Sequence, residues 1–213
     1  MNRRRTKIQL NQLNKMKLHL SIVRALRGAI VIFVAVVAFS SCEVLLEPLA
    51  SREFVIRQGE HYASPRLFER FETQKLSFRA TFDESARYTL EDPAMQSNKN
   101  KLMGFSDCSG LHHENSARFA WQWYNGQLEI YAYCYVDSVR IEKFISPVNL
   151  NEENLYEITA TDQEYVFYLN GERATTVART SNCKDGVNYV LYPYFGGSVP
   201  APHNVMIKIE MVK

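Results

Sequence analysis

The chain of 213 residues lacks several features that mark common protein classes. No segment repeats, no stretch is of low complexity, and apolar residues rarely follow a helical period, which disfavours repeat architectures and helical bundles. The four cysteines include no close CxxC pair, so their spacing fits no zinc signature. No apolar run approaches the roughly 20 residues that a membrane-spanning helix needs.

The N-terminal segment is basic and then apolar. Its first 41 residues contain eight Lys and Arg and no Asp or Glu, and the run AIVIFVAVVAF (residues 29–39) follows the basic part. This pattern predicts a secretory signal peptide over residues 1–41, with an uncleaved anchor helix as the alternative. The motif FSSC (residues 39–42) resembles the lipobox of bacterial lipoproteins, with Phe39 where Leu is usual.

The lipobox resemblance has consequences for location and partners. It implies cleavage before Cys42, acylation of Cys42 and a lipid-anchored protein of the bacterial cell envelope. We expect the outer membrane as the location, on its periplasmic side or at the surface. Stable anchoring needs more than one acyl chain, because each buried CH₂ contributes only about 0.8 kcal/mol. Residues 42–52 would then be a lipidated tether to the membrane.

Removal of the leader reverses the sign of the charge. The chain carries 25 Lys+Arg and 23 Asp+Glu, and subtracting the eight basic leader residues leaves 17 against 23, a net charge of −6. Phosphate recognition needs a basic surface, so nucleic acid is not expected as a partner. The remaining residues 53–213 are long enough for one domain with a sizeable core.

From residue 53 onward, apolar and polar residues alternate with a period of two, which is typical of half-buried strands. Asn-Gly pairs at 125–126 and 170–171 predict tight hairpins. Many short strands separated by turns predict an all-β fold, a two-sheet antiparallel sandwich, preceded by the signal or anchor helix. The predicted strands are residues 53–58, 76–82, 101–106, 117–124, 127–136, 138–145, 155–160, 164–169, 172–179, 188–195 and 203–212.

Alternation also assigns the two faces of the hairpin formed by residues 117–124 and 127–136. Aliphatic and large aromatic side chains fall on one side, which should face the core, while polar residues and tyrosines fall on the other. The predicted core set is Phe119, Trp121, Trp123, Leu128, Ile130, Ala132, Cys134 and Val136. The opposite set contains the residues with which we build a candidate binding face.

Three cysteines remain after Cys42. In an oxidising compartment, one disulfide and one leftover thiol is the simplest arrangement. The inward register of Cys134 suits either a buried thiol or a bridge to Cys108, and we predict the Cys108–Cys134 bridge. The fate of Cys183 stays open.

Several segments resemble the concanavalin A-like lectin/glucanase jelly roll, including laminin-G-type and polysaccharide-lyase-like members. They are FAWQWYNGQLEIYAYCYVDSVR, LYEITATDQEYVFYLNGERATTV and LYPYFGGSVPAPHNVMIKIEMV. The stretches NKLMGFSDC, HHENSARFAW and LYPYFGG…PAPH are similar to a group of uncharacterised Gram-negative lipoproteins. The resemblance covers residues 53–213 and implies a jelly-roll fold. It leaves the activity open, because this fold carries lectins, hydrolases, lyases and spacers.

Catalytic signatures of that fold are missing. The retaining-glucanase pattern ExDxxE is absent around Glu129, where the chain reads LEIYAYCY. The lyase pattern YFKAGxYxQ has only a partial counterpart in NYVLYPYFGG, without its Lys and Gln. No GxSxG elbow indicates a serine hydrolase. The fold resemblance leaves a structural calcium ion open, and no other cofactor is expected.

The segment GFSDCSGLHHENSARFAW (residues 104–121) concentrates chemically reactive side chains. Neighbouring side chains of an extended chain point to opposite sides, so His112, His113 and Glu114 should not converge on one ion, and no metal site is predicted. If the domain is an enzyme, His112 or His113, Tyr131 or Tyr133, and Arg118 are the residue types for proton transfer and for neutralising a uronate carboxylate, with Tyr131 as the preferred tyrosine. His203, in the loop before the last strand, is expected to make structural hydrogen bonds.

The preferred hypothesis is non-catalytic glycan binding on a concave aromatic sheet face. Tyrosine rings stack on the apolar faces of pyranoses, while Arg, Gln and Glu bond to hydroxyl groups. The predicted ligand-binding residues are Arg118, Gln122, Glu129, Tyr131, Tyr133 and Tyr192. The same tyrosines would otherwise simply cover a half-buried face, and Arg118 would pair with Glu129 across the hairpin. A polysaccharide lyase or glycoside hydrolase, and a protein-interaction module of an envelope complex, are the alternatives.

Overall fold

A computed structural model describes residues 51–183 and 188–212. Within these ranges the chain forms thirteen strands and two short 3₁₀ helices, Glu84–Ala86 and Pro93–Met95. The strands are β1 (Arg52–Ile56), β2 (Ala63–Ser64), β3 (Arg70–Phe71), β4 (Lys75–Phe82), β5 (Asn100–Ser106), β6 (Ser116–Tyr124), β7 (Gln127–Val136), β8 (Val139–Val148), β9 (Asn154–Ala160), β10 (Glu164–Leu169), β11 (Glu172–Ala178), β12 (Asn188–Leu191) and β13 (Val205–Val212). No helix in these ranges is long and apolar enough to cross a membrane.

The strands form two antiparallel sheets. The seven-stranded sheet has the order β11-β10-β9-β4-β13-β1-β2, and the six-stranded sheet has the order β3-β12-β5-β6-β7-β8. Strands that are distant in sequence become neighbours, as when β13 lies between β1 and β4. Two packed antiparallel sheets with such crossovers form a jelly-roll sandwich, so the predicted all-β, two-sheet fold is confirmed.

Aromatic side chains fill the space between the sheets. Trp121 and Phe119 of β6 meet Phe82 and Tyr156 of the opposite sheet, with ring centroids 5.1 Å apart for Phe82–Trp121 and 5.0 Å apart for Phe119–Tyr156. All four side chains are fully buried. Large buried rings contribute most of the apolar area of such a core, and edge-to-face contacts add to it.

The face assignment of β6 and β7 is confirmed for the core side. Phe119, Trp121, Leu128, Ile130 and Cys134 are all buried between the sheets. The opposite face is less exposed than predicted, because its polar side chains pack against one another and against flanking loops. Its buried members include Arg118, Gln122, Glu129 and Tyr133.

The predicted Asn-Gly turns set the register of two hairpins. Asn125 and Gly126 both have positive φ, 50° and 78°, which two-residue hairpin turns require. The turn places Gln122 opposite Glu129, and Arg118 opposite Tyr133. The predicted Arg118–Glu129 pair is therefore wrong, because the register separates the two residues.

Residues 59–75 contain structure that the alternation did not predict. The two-residue strands β2 and β3 join opposite sheets from within this segment. Strand β12 ends at Leu191, short of the predicted 195, because Pro193 has no N–H to donate to a ladder. Tyr194 continues the sheet only through isolated bridges to Tyr62 and Lys101.

The disulfide joins Cys108 and Cys183, whose Cα atoms are 4.6 Å apart, and the predicted Cys108–Cys134 bridge is wrong. Cys134 is a free thiol buried in β7, and burial raises its pKa. Cys108 has a positive φ of 57° in the loop after β5, and this loop meets the segment that follows β11. The bond therefore links two loops, and Cys134 takes the alternative role of a buried thiol.

Several predictions fall on residues outside the described ranges. They are the signal peptide or anchor helix of residues 1–41, the acylated Cys42 and nearly all of the tether over residues 42–52.

Candidate functional site

A groove with a volume of about 860 Å³ lies on the face of the six-stranded sheet that is turned away from the core. Side chains of β5 to β8 and β12 form its floor, and residues 62–68 together with the loop between β5 and β6 form its walls. The polar and aromatic side chains that line it are Tyr62, Arg66, Phe68, Lys101, His112, His113, Arg118, Tyr133, Tyr135, Arg140, Tyr189, Tyr192 and Tyr194.

The groove contains most of the predicted site residues. His112, His113, Arg118, Tyr133 and Tyr192 line it. The other three predicted residues, Gln122, Glu129 and Tyr131, do not.

The three residues outside the groove bond to one another. Glu129 Oε2 accepts hydrogen bonds from Tyr131 (2.7 Å) and from Gln122, whose Nε2 also lies 2.9 Å from the Tyr131 hydroxyl. Lys99 Nζ donates to Gln122 Oε1 at 2.8 Å and lies 4.2 Å from the Tyr131 ring centroid. Burial alone would raise the pKa of Glu129, but these hydrogen bonds lower it. The network satisfies its own polar groups and stabilises the sheet.

Arg118 lies at the floor of the groove. Only 6% of the residue is exposed, and its Nε has no hydrogen-bond partner. Its guanidinium carbon lies 5.6 Å from the Tyr133 ring centroid. The facing residue on β5 is Gly104, where a Cβ would lie 2.5 Å from the Arg118 Cα. The two backbones approach so closely that only glycine fits there.

Lys101 is close to the same ring. Its Nζ is 4.9 Å from the Tyr133 centroid and donates hydrogen bonds to the carbonyls of Lys99 (2.9 Å) and Gly196 (2.8 Å). Burial, followed by the nearby charge of Arg118, lowers the pKa of Lys101 to about 8. Both Lys101 and Arg118 are therefore desolvated cations near the Tyr133 ring.

The histidines form one wall of the groove. The rings of His112 and His113 are 4.1 Å apart, and Tyr135 packs edge-on to His113. The backbone N–H of His112 donates a hydrogen bond to the Tyr189 hydroxyl oxygen at 3.2 Å, and Nδ1 of His112 is also 3.2 Å from that oxygen. Burial, and then the charge of Arg118, lowers the pKa of His112 to about 4. The imidazole is therefore neutral at pH 7.

The loop that carries these histidines is fixed at its base. The disulfide ties Cys108 to Cys183, and the Asp107 carboxylate accepts hydrogen bonds from Arg179 and Tyr165. Asp107, Cys108 and Cys183 are the one grouping of three potential metal ligands within residues 51–183 and 188–212. Because both sulfurs are oxidised and the carboxylate is already bonded, this grouping is a structural cross-link.

Aromatic side chains are exposed at the rim of the groove. Phe68 is 74% exposed and stacks on Tyr189 with centroids 5.8 Å apart, while Tyr62 is 56% exposed. The Arg66 guanidinium lies 4.5 Å above the Tyr62 ring. Tyr192 is half-buried and stacks on Phe54 of the core. Tyr192 therefore serves the packing of the sandwich as well as the groove.

A second, smaller cavity of about 280 Å³ continues the depression. It shares Lys101, Tyr133, Arg140 and Gly197 with the groove, and extends to Lys99 and Glu142. The two cavities therefore meet at the Lys101–Tyr133 contact. His203, in contrast, lies outside both, and its Nε2 is 2.9 Å from the Ser85 carbonyl, as expected for a structural histidine.

The sequence matches no protein-family model and no curated protein. Solved structures do resemble it. The catalytic domain of an endo-1,3-β-glucanase (laminarinase) from Thermotoga petrophila RKU-1 is 9% identical, with 76% of this chain and 75% of that chain covered and a TM-score of 0.52. Alginate lyase AlyC3 is 10% identical, with coverage of 76% and 74% and a TM-score of 0.53.

A third similar structure is a mutant of SCLam, a non-specific endo-β-1,3(4)-glucanase from family GH16, co-crystallised with 1,3-β-D-cellobiosyl-cellobiose. It is 10% identical, with 76% of this chain and 74% of that chain covered and a TM-score of 0.54. This chain has the concanavalin A-like jelly-roll fold. At such identities the likeness extends to the fold alone, since one fold serves many activities.

The sequence analysis missed several residues of the groove. Lys101 and Arg140 were absent from the predicted site, as were the rim aromatics Tyr62 and Phe68. Lys101 had a detectable signal, because it directly precedes the apolar run LMGF in the strand NKLMGFS, and lysine is rarely buried. The rim residues belong to the irregular segment 59–75, where no alternation assigns a face.

Proposed function

We propose that this protein is an envelope lipoprotein whose jelly-roll domain binds a polysaccharide in the groove without cleaving it. The observation that carries the proposal is the tyrosine-rich lining of an open groove on the sheet face. Its volume of about 860 Å³ lies in the range of ligand sites, which is about 300–1,000 Å³. Planar rings with polar edges suit pyranoses, which present apolar faces and hydroxyl rims.

The lining supports binding over hydrolysis. A glycosidase of the common type needs two carboxyl groups flanking the scissile bond. Among the described residues that line the groove, none is Asp or Glu. Carboxylates near the groove already have partners: Glu129 is bonded within its network, Glu142 in the smaller cavity pairs with Arg140, and Glu69 accepts a hydrogen bond from Tyr192.

Lyase chemistry is the second candidate, favoured by the presence of His112 and Arg118 in one groove. A base works best when its pKa lies near the operating pH, and a histidine with a pKa of about 4 is a weak base at neutrality. Of the two predicted tyrosines, Tyr131 lies outside the groove and donates its hydroxyl proton to Glu129, while burial raises the pKa of Tyr133, which lines the groove, to about 12. The groove is therefore better suited to holding a chain than to breaking it.

Affinity gel electrophoresis on a panel of neutral and acidic polysaccharides tests the proposal. We expect retardation on at least one polysaccharide, with no new reducing ends and no absorbance from unsaturated uronates after prolonged incubation. Appearance of unsaturated products would establish the lyase instead. If no polysaccharide retards the protein and a pull-down returns a defined protein partner, the interaction-module hypothesis replaces both.

The membrane anchor is the remaining part of the proposal, and it relies on the FSSC motif at residues 39–42. We propose acylation of Cys42 and attachment to the outer membrane through it. In a Gram-negative host, Cys42→Ala should abolish labelling by a fatty-acid analogue and release the protein from the detergent phase. Persistent detergent partitioning of the variant would disprove lipidation at Cys42 while leaving the groove unaffected.

A further inference from the structure

Few cations in the groove have an acidic partner. On the seven-stranded sheet, three basic side chains form ion pairs, which are Lys75–Glu157, Arg79–Glu153 and Arg173–Glu164. Of the four groove cations, Arg66, Lys101, Arg118 and Arg140, only Arg140 has an ion pair among the described residues, with Glu142 at 3.1 Å. The groove therefore holds several cations, two of them buried, that no acidic side chain neutralises within the described residues.

Arg118 shows this imbalance most clearly. Its side chain is more than nine-tenths buried, no carboxylate forms an ion pair with it in the described part of the chain, and its Nε donates no hydrogen bond. Leaving a buried charge unpaired is costly, and proteins usually place a counterion or a ligand beside it. A guanidinium also matches carboxylate and sulfate oxygens with two parallel donors.

Lys101 provides a second unneutralised donor at the same place. It uses two of its three ammonium protons on backbone carbonyls, at 2.9 and 2.8 Å, and neither carbonyl carries a full charge. Lys101 and Arg118 lie on the Tyr133 ring at 4.9 and 5.6 Å from its centroid. Both cations thus line one point in the groove, beside an aromatic ring.

We infer that Lys101 and Arg118 form an anion-binding centre that selects glycans carrying a carboxylate or a sulfate ester. The inference rests on the proposed function, and it specifies the substrate class of the same groove. The anionic group binds between the two cations while the sugar ring contacts Tyr133. A neutral glycan leaves both cations without a counterion and binds more weakly.

Two matched pairs of polymers test the anion requirement by affinity electrophoresis. Polygalacturonate is compared with its carboxyl-reduced form, and dextran sulfate with dextran, so that each pair differs only in charge. We expect one acidic polymer to bind at least about tenfold more tightly than its neutral partner, since hydrogen bonds to charged groups have this strength. The pair that responds distinguishes a carboxylate from a sulfate ester.

Substitutions locate the effect. Lys101→Met should weaken binding of the acidic polymer at least about tenfold, whereas Lys208→Met, which removes the same charge from an exposed position on β13, should leave it unchanged. Near-ultraviolet circular dichroism verifies the fold of each variant. Should Lys101→Met fail to fold, Arg140→Gln at the exposed margin of the groove replaces it, with weaker binding expected.

Failure of the inference and failure of the proposed function have different signatures. Equal binding within both polymer pairs, or equal loss in the Lys101 and Lys208 variants, overturns the anion centre while glycan binding stands. Absence of binding to any polymer overturns the proposed function. In that case, the melting temperature is measured in sodium sulfate and in sodium chloride at equal ionic strength. A rise specific to sulfate that is lost in Lys101→Met and kept in Lys208→Met supports the anion-binding centre. The absence of such a difference overturns it.

Discussion

Asp107 accepts two hydrogen bonds from the guanidinium of Arg179, with Nε 2.6 Å from Oδ2 and Nη2 2.8 Å from Oδ1. Tyr165, from the seven-stranded sheet, donates its hydroxyl to the same Oδ2 at 2.7 Å. The pair lies beside the disulfide, because Cys108 follows Asp107 in sequence and Arg179 Nη2 is 3.0 Å from Cys183 Sγ. The histidine wall of the groove is thus held by an ion pair and a covalent bond at one point.

Asp107→Asn should destabilise the protein substantially. The substitution leaves Arg179 with no charged partner, and Asp107 is only 2% exposed. Breaking a buried pair in this way costs about 3–5 kcal/mol of unfolding free energy, measured by urea denaturation. As a control, Arg173→Gln breaks the exposed Arg173–Glu164 pair and should cost no more than about 1 kcal/mol. Equal costs would show that the Asp107 pair is not desolvated.

The cysteine assignment has a direct chemical test. Iodoacetamide should label Cys134 only after denaturation, because the thiol is buried and its pKa is raised, whereas Cys108 and Cys183 should react only after reduction. Replacing Cys183 with Ala should lower the free energy of unfolding by about 2–5 kcal/mol, since the bond closes a long loop. A non-reducing peptide map that contained Cys108 joined to Cys134 would contradict the assignment.

His112 should make stability depend on pH on the acid side. Its pKa in the folded protein is lowered to about 4 from an ordinary 6.5, by burial and by Arg118 and His113. Between these values the unfolded chain binds a proton that the folded chain does not, so stability falls as pH decreases from 6.5 towards 4 and is unaffected above. In His112→Asn, the free energy of unfolding should decrease less over this pH interval. Urea denaturation at each pH measures it. Parallel curves for the two proteins would refute the shift.

The rim aromatics should contribute to glycan binding without supporting the fold. Both Tyr62 and Phe68 are largely exposed, so replacing either with Ala should leave the melting temperature nearly unchanged. Loss of one ring-stacking contact should weaken retention in affinity gels roughly two- to tenfold. Met206→Ala removes an exposed apolar side chain from the other sheet and should change neither property. Unaltered retention in both rim variants would place the ligand elsewhere.

Binding of an acidic polymer should weaken as the pH rises above about 8, the lowered pKa of Lys101. An anion binds the protonated amine, so affinity is lost as the proton leaves. The other charged and titratable groups that face Lys101 are Arg118, Arg140, Glu142, Tyr133 and Tyr194.

Those neighbours should not obscure the transition. Burial raises the pKa of Tyr133 to about 12, and the pKa of Tyr194 is also raised, so both stay neutral at pH 8–10. Calorimetric titration with polygalacturonate from pH 6 to 10 measures the effect. Lys101→Met should lack the alkaline decline, and a decline that survives in this variant would assign it to another group.

The fold was predictable because the alternation of apolar and polar residues along each strand decides which face of a sheet is buried. Once Leu128 and Ile130 share a face, that face must be buried, and the Asn-Gly turn at 125–126 fixes the partner strand. The Gln122–Glu129 contact follows from the same register, because the two residues lie at equal distance from the turn. Arg118 and Glu129 share a face, but the register places Arg118 opposite Tyr133.

Other features depend on the meeting of segments that no local pattern relates. Cys108 and Cys183 lie in loops that follow different strands, 75 residues apart. The alternation of residues along a strand does not predict where loop residues lie. The groove likewise needs residues 62–68 as a wall, and that segment has no strand pattern long enough to read. The alternation therefore predicted the sheet face that forms the floor of the groove, but not the loops that form its walls.

The Lys101–Tyr133 contact belongs to both cavities, so the depression runs past it in either direction. A groove that continues into a second cavity can receive an interior stretch of a polysaccharide chain, so the chain needs no free end in order to bind. Several copies of the protein, anchored to one membrane as proposed, could then hold the same polysaccharide chain at separate points. Their combined avidity would far exceed that of a single contact, as linked binding events do.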